Sequence, residues 1–217
     1  RPAGLVLAGI DQSRAGRVLL AEAGCPIVQM MEIGPEPIDL MIGLSHLDAA
    51  RAATEHLLAK GYRRIGFLGA RMDPRTQRRL QGFRAALAAA GLEEEGRIVT
   101  TPRTSTVTLG AELLGDLLGR RPDTDAVFCN NDDIALGALF EAQRRRIRIP
   151  GELGICGFND LEASATAFPS LTSVRTHRER MGREGIAMLL AAIAGDRPEQ
   201  SVVDLGFEVV ERESTRR

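Results

Sequence analysis

Two arginines have the spacing of an anion-binding fork. Arg75 and Arg79 are four residues apart, so in a helix they lie on one face near its N-terminus. Two guanidinium groups placed in this way can hold a carboxylate, a phosphate or vicinal hydroxyl groups. Because Arg78 and Arg84 are also present, a solvated basic helix face explains the same residues equally well. The sequence alone leaves both interpretations open.

Two asparagines stand where apolar runs end. Asn131 comes shortly after the run from Ala126 to Cys129, and Asn159 comes shortly after the run from Leu153 to Cys156. A helical pattern separates the two runs, which predicts a strand–helix–strand unit with parallel strands and a right-handed connection. Ligands of open parallel sheets lie outside the carboxyl ends of the strands. We therefore predict that Asn131 and Asn159 contact a ligand.

Both asparagines also have structural explanations. Asn131 or Asp132 could cap the helix that begins there, and Asn159 with Asp160 could form a plain turn. For Asp132 we favour the helix cap, and for Asn131 we favour the ligand contact.

The elements that must position these residues alternate along the chain. Strands are predicted at Leu5–Ala8, Pro26–Met31, Ile65–Leu68, Ile98–Thr100, Ala126–Cys129, Leu153–Cys156, Leu171–Val174, Val202–Leu205 and Phe207–Val210. Helices are predicted at Arg14–Ala23, after a cap at Ser45, over a segment that carries Arg75 to Leu87 and is stopped by Gly91, at Val107–Leu118, after Asn131 and at Met181–Ile193. This alternation is typical of an α/β protein with parallel sheets.

Composition and motifs exclude several classes of function. The net charge is −1, which gives no argument for binding nucleic acid or a membrane surface through this chain. We expect no membrane span and no signal peptide. Motifs for a nucleophile, a phosphate loop or a metal are absent from the sequence, so we expect no cofactor, no metal and no enzyme activity.

The cysteines and histidines fit the same interpretation. Cys25, Cys129 and Cys156 are interpreted as buried free thiols of a reducing cytoplasm. The three histidines are isolated in the sequence, and each is interpreted as a surface or core residue: His46, His56 and His177.

Several segments resemble one family in the same order along the chain. They are Gly61–Gly69 (GYRRIGFLG), Arg79–Phe83 (RLQGF), Ala126–Asp132 (AVFCNND), Ala135–Ala138 (ALGA), Ile149–Pro150, Gly157–Asp160 (GFND), Pro169–Thr172 (PSLT) and Glu211–Ser214 (ERES). Together they resemble the effector-binding domain of the lactose-repressor/galactose-repressor (LacI/GalR) family of bacterial transcriptional regulators. Pro37–His46 and Leu139–Arg144 resemble the gluconate-responsive members most.

The resemblance implies a periplasmic-binding-protein-like fold of type I. Two Rossmann-like subdomains with parallel sheets are then joined by three crossovers, near Leu44-Ser45, Val174-Arg175 and Leu205 to Phe207. One subdomain comprises residues 1–44 and 175–205, and the other comprises residues 45–174 and 206–217. The resemblance also implies that the first strand–helix–strand part of the first subdomain and an N-terminal helix-turn-helix lie outside this chain.

The resemblance further implies a set of effector-binding residues in the cleft between the subdomains. Arg79, Asn131 and Asn159 match effector contacts of the family, Arg75 is nearby, and Glu32 lies close to a position where relatives place an aspartate. Ser105 stands where several relatives carry an aromatic residue that stacks on the ligand. Small residues and arginines in that pocket favour a polar, anionic ligand over a stacked ring.

The function implied is that of a cytoplasmic repressor. A sugar acid such as gluconate, or a neutral sugar as second choice, is expected to bind and to change the affinity of a homodimer, or of a tetramer of the same chain, for operator DNA. The main alternative is a solute-binding protein of a sugar transporter, which shares the fold. A sugar kinase or isomerase is a third interpretation, against which the lack of catalytic motifs argues.

Overall fold

Two sheets organise the chain, one in each of two units. The computed structural model describes residues 2–92 and 95–217. The first unit comprises Arg1–Ser45 and Thr176–Phe207, and the second comprises His46–Arg175 and Glu208–Arg217. The chain therefore passes between the units three times.

The helices and strands follow one another in regular alternation. In chain order they are β1 (Leu5–Ala8), α1 (Arg14–Ala21), β2 (Ile27–Met30), β3 (Leu40–Gly43), α2 (His46–Ala59), β4 (Ile65–Ala70), α3 (Pro74–Ala89), β5 (Ile98–Thr101), α4 (Val107–Arg120), β6 (Ala126–Cys129), α5 (Asp132–Arg144), β7 (Gly154–Asn159), α6 (Glu162–Thr166), β8 (Thr172–Arg175), α7 (Arg178–Ile193), β9 (Val202–Asp204) and β10 (Glu208–Val210). The α/β class predicted from this alternation is confirmed.

The first unit is built on a parallel sheet with the strand order β1-β2-β3-β9. The helix α7 packs on β2 and β3. It can approach closely because Gly185 has no side chain, and an added Cβ there would stand 2.9 Å from the Met30 Cε.

The second unit has the strand order β10-β8-β7-β6-β4-β5, and only β10 is antiparallel to its neighbour among the described strands. From β4 the chain goes to β5 on one side, and it then crosses to β6 on the other side of β4. The strand order thus reverses between β4 and β6. In open parallel sheets this switch point is where ligands bind.

Two helix pairs cover the sheet of the second unit, α2 with α3 and α4 with α5. Both pairs cross at glycines. An added Cβ at Gly82 of α3 would overlap the Leu47 carbonyl oxygen, and one at Gly137 of α5 would overlap the Val107 carbonyl oxygen. On the α3 side, the buried rings of Phe67, Phe83, Phe128 and Phe158 pack against one another.

The structure corrects five details of the prediction. The strand β3 and the short helix α6 were not predicted, and β7 continues to Asn159 instead of ending at Cys156. Cys129 and Cys156 are buried as expected, but Cys25 is partly exposed because it lies in the loop before β2. The helix cap predicted at Asp132 is wrong: Asn131 occupies the N-cap position of α5.

Candidate functional site

Asn130 lies at the switch point of the second sheet and links the two strands that separate there. Its backbone N–H donates to the Leu68 carbonyl at 2.9 Å, which is the last step of the ladder between β4 and β6. Its side-chain Nδ2 then donates to the Ala70 carbonyl at 3.0 Å, and its Oδ1 accepts from the Ala70 N–H at 3.2 Å. The amide side chain thus replaces a peptide group of the ladder where the strands diverge.

Arg79 of α3 is held beside Asn130. Its side chain is buried, with 8% of the residue exposed. The Nε–H donates to the Nδ1 of His46 at 3.2 Å, and an Nη1–H donates to the backbone carbonyl of Asn130. Its Cζ also lies 3.8 Å from the ring centroid of Phe158, in the geometry of a cation–π contact. Contacts along two edges and on one face fix the plane of the guanidinium group.

The start of α3 brings a second arginine and a carboxylate to the same place. Asp73 caps the helix because its Oδ1 accepts from the Thr76 N–H at 2.9 Å, and Pro74 follows it at the first helical position. Burial acts to raise the pKa of Asp73, but the hydrogen bonds from Thr76 and the charges of Arg75 and Arg79 outweigh it, so the pKa is lowered. Asp73 therefore stays ionised and pairs with Arg75, with 3.5 Å between Oδ2 and Nη2.

Asn131 and Ser105, which the family resemblance assigns to one site, are in direct contact. The Oδ1 of Asn131 accepts from the Ile134 N–H at 3.1 Å, which caps α5. Its Nδ2 donates to the Ser105 Oγ at 2.7 Å. Asn131 is thus both the helix cap and part of a polar pair, because its two amide atoms serve different partners.

Asp132 connects the start of α5 to the loop that follows β7. It is fully buried, and it accepts hydrogen bonds from the Ser173 Oγ at 2.6 Å and from the Leu161 N–H at 2.7 Å. Burial raises the pKa of Asp132 more than these hydrogen bonds lower it. Asn159, the last residue of β7, has a φ of 112°, a backbone conformation that residues other than glycine rarely adopt.

Asp160, the next residue, is held on both sides. Its backbone N–H donates to the Ser173 Oγ at 3.1 Å. Its carboxylate pairs with Arg175 at 2.8 Å and with Arg212 at 2.7 Å. These contacts stabilise the left-handed backbone of Asn159-Asp160, so this segment is more than a plain turn.

The predicted site residues are divided between the two units. Five of them belong to the second unit: Arg75, Arg79, Ser105, Asn131 and Asn159. Glu32 belongs to the first unit, where it follows β2 and is buried, and its backbone lies against Gly43 of β3. Their roles as ligand contacts stay predictions.

The residues that contact Arg79 were not predicted as part of the site: His46, Asn130 and Phe158. His46 was interpreted as an isolated histidine, and Asn130 as the neighbour of the predicted contact. The only signal in the sequence is that Asn130 directly ends an apolar run. Phe158 lies within the family-like segment GFND, but an aromatic residue in a strand is usually a core residue.

Other kinds of site are not found in the described part of the chain. Within residues 2–92 and 95–217, no group of three or more His, Cys, Asp and Glu side chains is placed to hold a metal ion. No helix in these ranges is long and apolar enough to cross a membrane.

Comparison with known proteins identifies the family. Residues 54–215 match the family model described as a periplasmic binding protein-like domain. The HTH-type transcriptional regulator GntR of Pseudomonas aeruginosa is 45% identical over 215 residues, which cover 99% of this chain and 63% of that protein.

Solved structures give the same result. The crystal structure of the transcription regulator GntR from Chromobacterium violaceum is 41% identical, with a TM-score of 0.95, over 99% of this chain and 79% of that one. The complex of the transcriptional regulator CelR with cellobiose is 31% identical, with a TM-score of 0.84, over 98% of this chain and 65% of that one.

The chain belongs to the periplasmic-binding-protein-like family, in the form found in LacI-family transcriptional regulators. The family and the fold implied by the sequence resemblance are therefore confirmed. The chain spans 63% of the length of the curated relative from Pseudomonas aeruginosa.

Proposed function

We propose that this chain is the effector-binding region of a LacI-family transcriptional repressor. In this proposal, the two units are the two effector-binding subdomains, and a small ligand binds at the carboxyl-end surface of the second unit. The observation that carries the proposal is the fixed guanidinium of Arg79 at the switch point of the sheet. A buried cation held by a histidine, a carbonyl and a ring is placed to bind an anion.

The ligand that suits this surface is a sugar acid such as gluconate. The guanidinium of Arg79 would take the carboxylate. The amide of Asn131, the hydroxyl of Ser105 and the amide of Asn159 are donors and acceptors that suit sugar hydroxyl groups. The relative CelR was solved with cellobiose, a neutral sugar, so a neutral sugar is the second candidate. We also propose that Glu32 contacts this ligand.

We propose that the ligand changes the affinity for operator DNA by changing how the two units are arranged. A ligand that binds one arrangement more tightly than another shifts the population toward it. The curated relative is named an HTH-type regulator. We propose that the whole protein likewise binds operator DNA through an N-terminal helix-turn-helix outside this chain, acts in the cytoplasm and has no enzyme activity.

A homodimer is proposed as the form that binds DNA. Phe140 and Phe168 are exposed by 50% and 82%, although large aromatic side chains are usually buried. The segments that carry them are joined by a hydrogen bond from the side chain of Gln143, one turn after Phe140 on α5, to the Phe168 carbonyl. A second copy of the chain is the partner we propose for this apolar surface. Changing both phenylalanines to Ser should then shift the sedimentation profile toward the monomer, and an unchanged dimer would contradict the assignment.

The proposed effector is tested by thermal stability of the full-length protein with gluconate, related sugar acids, neutral sugars and their phosphates. At a ligand concentration of 100 Kd, a ligand that binds only the folded state adds about 2.7 kcal/mol to the free energy of unfolding. This corresponds to roughly 5–10 °C in Tm for a domain of this size. A shift with sugar acids alone supports the proposal, and a shift with neutral sugars alone moves it to the second candidate.

A variant pair tests the surface itself. Arg79→Gln should reduce the gluconate-dependent shift to about half or less and should weaken the release of operator DNA. Arg84→Gln is the matched control on the same helix, because Arg84 pairs with Glu95 at 2.7 Å and takes no part in the Arg79 contacts. If Arg79→Gln leaves both responses unchanged, the proposed site is wrong.

A further inference from the structure

His46 is the first residue of α2, and it packs against two parts of the proposed site. It is 3% exposed. Its Nδ1 lies 3.2 Å from the Nε of Arg79, and its ring centroid lies 5.6 Å from that of Phe158. Phe158 in turn carries the guanidinium of Arg79 on its face. The histidine, the ring and the arginine therefore contact one another pairwise.

The direction of the hydrogen bond fixes the chemical form of the histidine. An arginine Nε always carries a hydrogen and only donates, so the Nδ1 of His46 accepts. His46 is therefore neutral in this arrangement, with its proton on Nε2. This hydrogen bond distinguishes His46 from a core histidine that is held by packing alone, because packing does not require an acceptor at Nδ1.

The acceptor has a consequence for the orientation of Arg79. The guanidinium is planar, and its Nε–H and Nη1–H point in different directions within that plane. The Nδ1 of His46 takes the first, and the carbonyl of Asn130 takes the second. Two acceptors at different edges, together with the Phe158 ring below, leave one orientation for the group. Pre-organisation of this kind lowers the entropy that a ligand must remove on binding.

We propose that His46 is a positioning residue of the effector site, which holds the Arg79 guanidinium in the orientation that receives the carboxylate of a sugar acid. The inference rests on the proposed function, because it assigns His46 a role in the same site. The role of His46 is additional to the proposed function, because it requires an acceptor atom at the place of Nδ1 and not merely a side chain of the right volume.

Three variants of the full-length protein separate these requirements, with gluconate as the probe in calorimetric titrations. His46→Asn can place its Oδ1 near the position of Nδ1, whereas the Oε1 of His46→Gln reaches toward the position of Nε2. His46→Leu fills much of the volume without an acceptor. We expect the Leu and Gln variants to bind gluconate about 10-fold to 100-fold more weakly, and the Asn variant to stay within about 3-fold of the unaltered protein.

The comparison of Asn with Gln keeps the test valid even if the Leu variant fails to fold. Equal affinities of the Gln and Asn variants would overturn the inference, as would unchanged affinity in folded His46→Leu. A double variant provides a second check: once Arg79→Gln is present, adding His46→Gln should change the affinity by less than about 3-fold. A further loss of about 10-fold would show that His46 acts independently of Arg79 and would also overturn it.

The results distinguish this inference from the proposed function. If the unaltered protein does not bind gluconate, or if Arg79→Gln binds it normally, the sugar-acid site is wrong and the role of His46 is lost with it. If Arg79→Gln loses binding while all His46 variants keep it, the site stands and only the positioning role is refuted.

Discussion

Replacing Gly82 by Ala tests whether the close crossing of α2 and α3 positions the proposed site. An added Cβ at Gly82 would overlap the carbonyl oxygen of Leu47 and lie 2.9 Å from the backbone nitrogen of Arg51. Both are backbone atoms of α2, so no flexible side chain can move aside. We expect that α3 must shift by roughly 1 Å to restore ordinary contact, because interiors packed at crystal density contain no free space.

The sign of the effect follows from two opposing magnitudes. Ala in a helix interior is favoured over Gly by about 1 kcal/mol. Overpacking a well-packed crossing costs about 1–3 kcal/mol, and a clash with backbone lies at the upper end or beyond. We therefore expect a net loss of about 1–2 kcal/mol in the free energy of unfolding, which is roughly 2–8 °C in Tm for a domain of this size.

Gly119→Ala is the matched control, because an added Cβ at this position of α4 meets nothing within 4 Å. It should raise stability, by at most about 1 kcal/mol. The assay is urea unfolding of both variants, followed by titration with gluconate, since a shifted α3 also displaces Arg79 one turn before Gly82. If Gly82→Ala is as stable as Gly119→Ala and binds gluconate normally, the crossing does not constrain the site and the reasoning is wrong.

Three further predictions concern the rest of the molecule. Burial lowers the pKa of His56 more than Glu211 raises it, so the folded state binds this proton less readily than the unfolded state. The resulting stability is present above the ordinary histidine pKa of 6.5 and is lost as the pH falls below it. His56→Gln should flatten the decline in urea midpoint between about pH 7.5 and 5.5, and an unchanged slope would contradict this. Ser214→Ala removes a donor to the Ile155 carbonyl at 2.6 Å and an acceptor for the Thr172 N–H at 2.8 Å. This substitution should lower the free energy of unfolding by about 2–4 kcal/mol. A loss below about 0.5 kcal/mol in urea unfolding would show that neither backbone group needs this partner. Burial raises the pKa of the Cys129 and Cys156 thiols, whereas Cys25 is partly exposed. A thiol reagent should therefore label only Cys25 in the folded chain and all three cysteines after unfolding. Rapid labelling of Cys129 or Cys156 without unfolding would contradict their burial.

The alternation of strands and helices was predictable because each element carries its own local signal. The run Ala126–Cys129 was predicted with the bounds that the structure has, since an apolar run between turn residues marks a buried parallel strand. The position of Arg75 and Arg79 in the first turns of α3 was predicted in the same way.

Other elements were missed or given the wrong length. The strand β3 (LMIG) is a buried apolar run like β6, so its local signal was present but was overlooked. The helix α6 is 5 residues long, too short for a helical period to appear. The strand β7 continues through Gly157 and Phe158 to Asn159, where glycine and asparagine are more typical of a turn than of a strand.

The predicted residues of the candidate site have different origins: Asn131 and Asn159 follow strand ends, Arg75 and Arg79 share a helical spacing, and Ser105 and Glu32 come from the family resemblance alone. Topology places Asn131 and Asn159 at the carboxyl edge, and this follows from one strand–helix–strand unit. The contacts of Arg79 with His46 and with Asn130 join residues 33 and 51 positions apart. Such contacts depend on how α2, α3 and β6 pack together, and no local pattern in the sequence records that packing.

Calorimetric titration of gluconate into the full-length protein, its Arg79→Gln variant and its Arg84→Gln variant tests the central claim most directly. The proposal predicts measurable binding to the unaltered protein and to Arg84→Gln, and a loss of at least about 10-fold in affinity for Arg79→Gln. Equal affinity of the Arg79→Gln variant and the unaltered protein would contradict the assignment of this surface as the effector site.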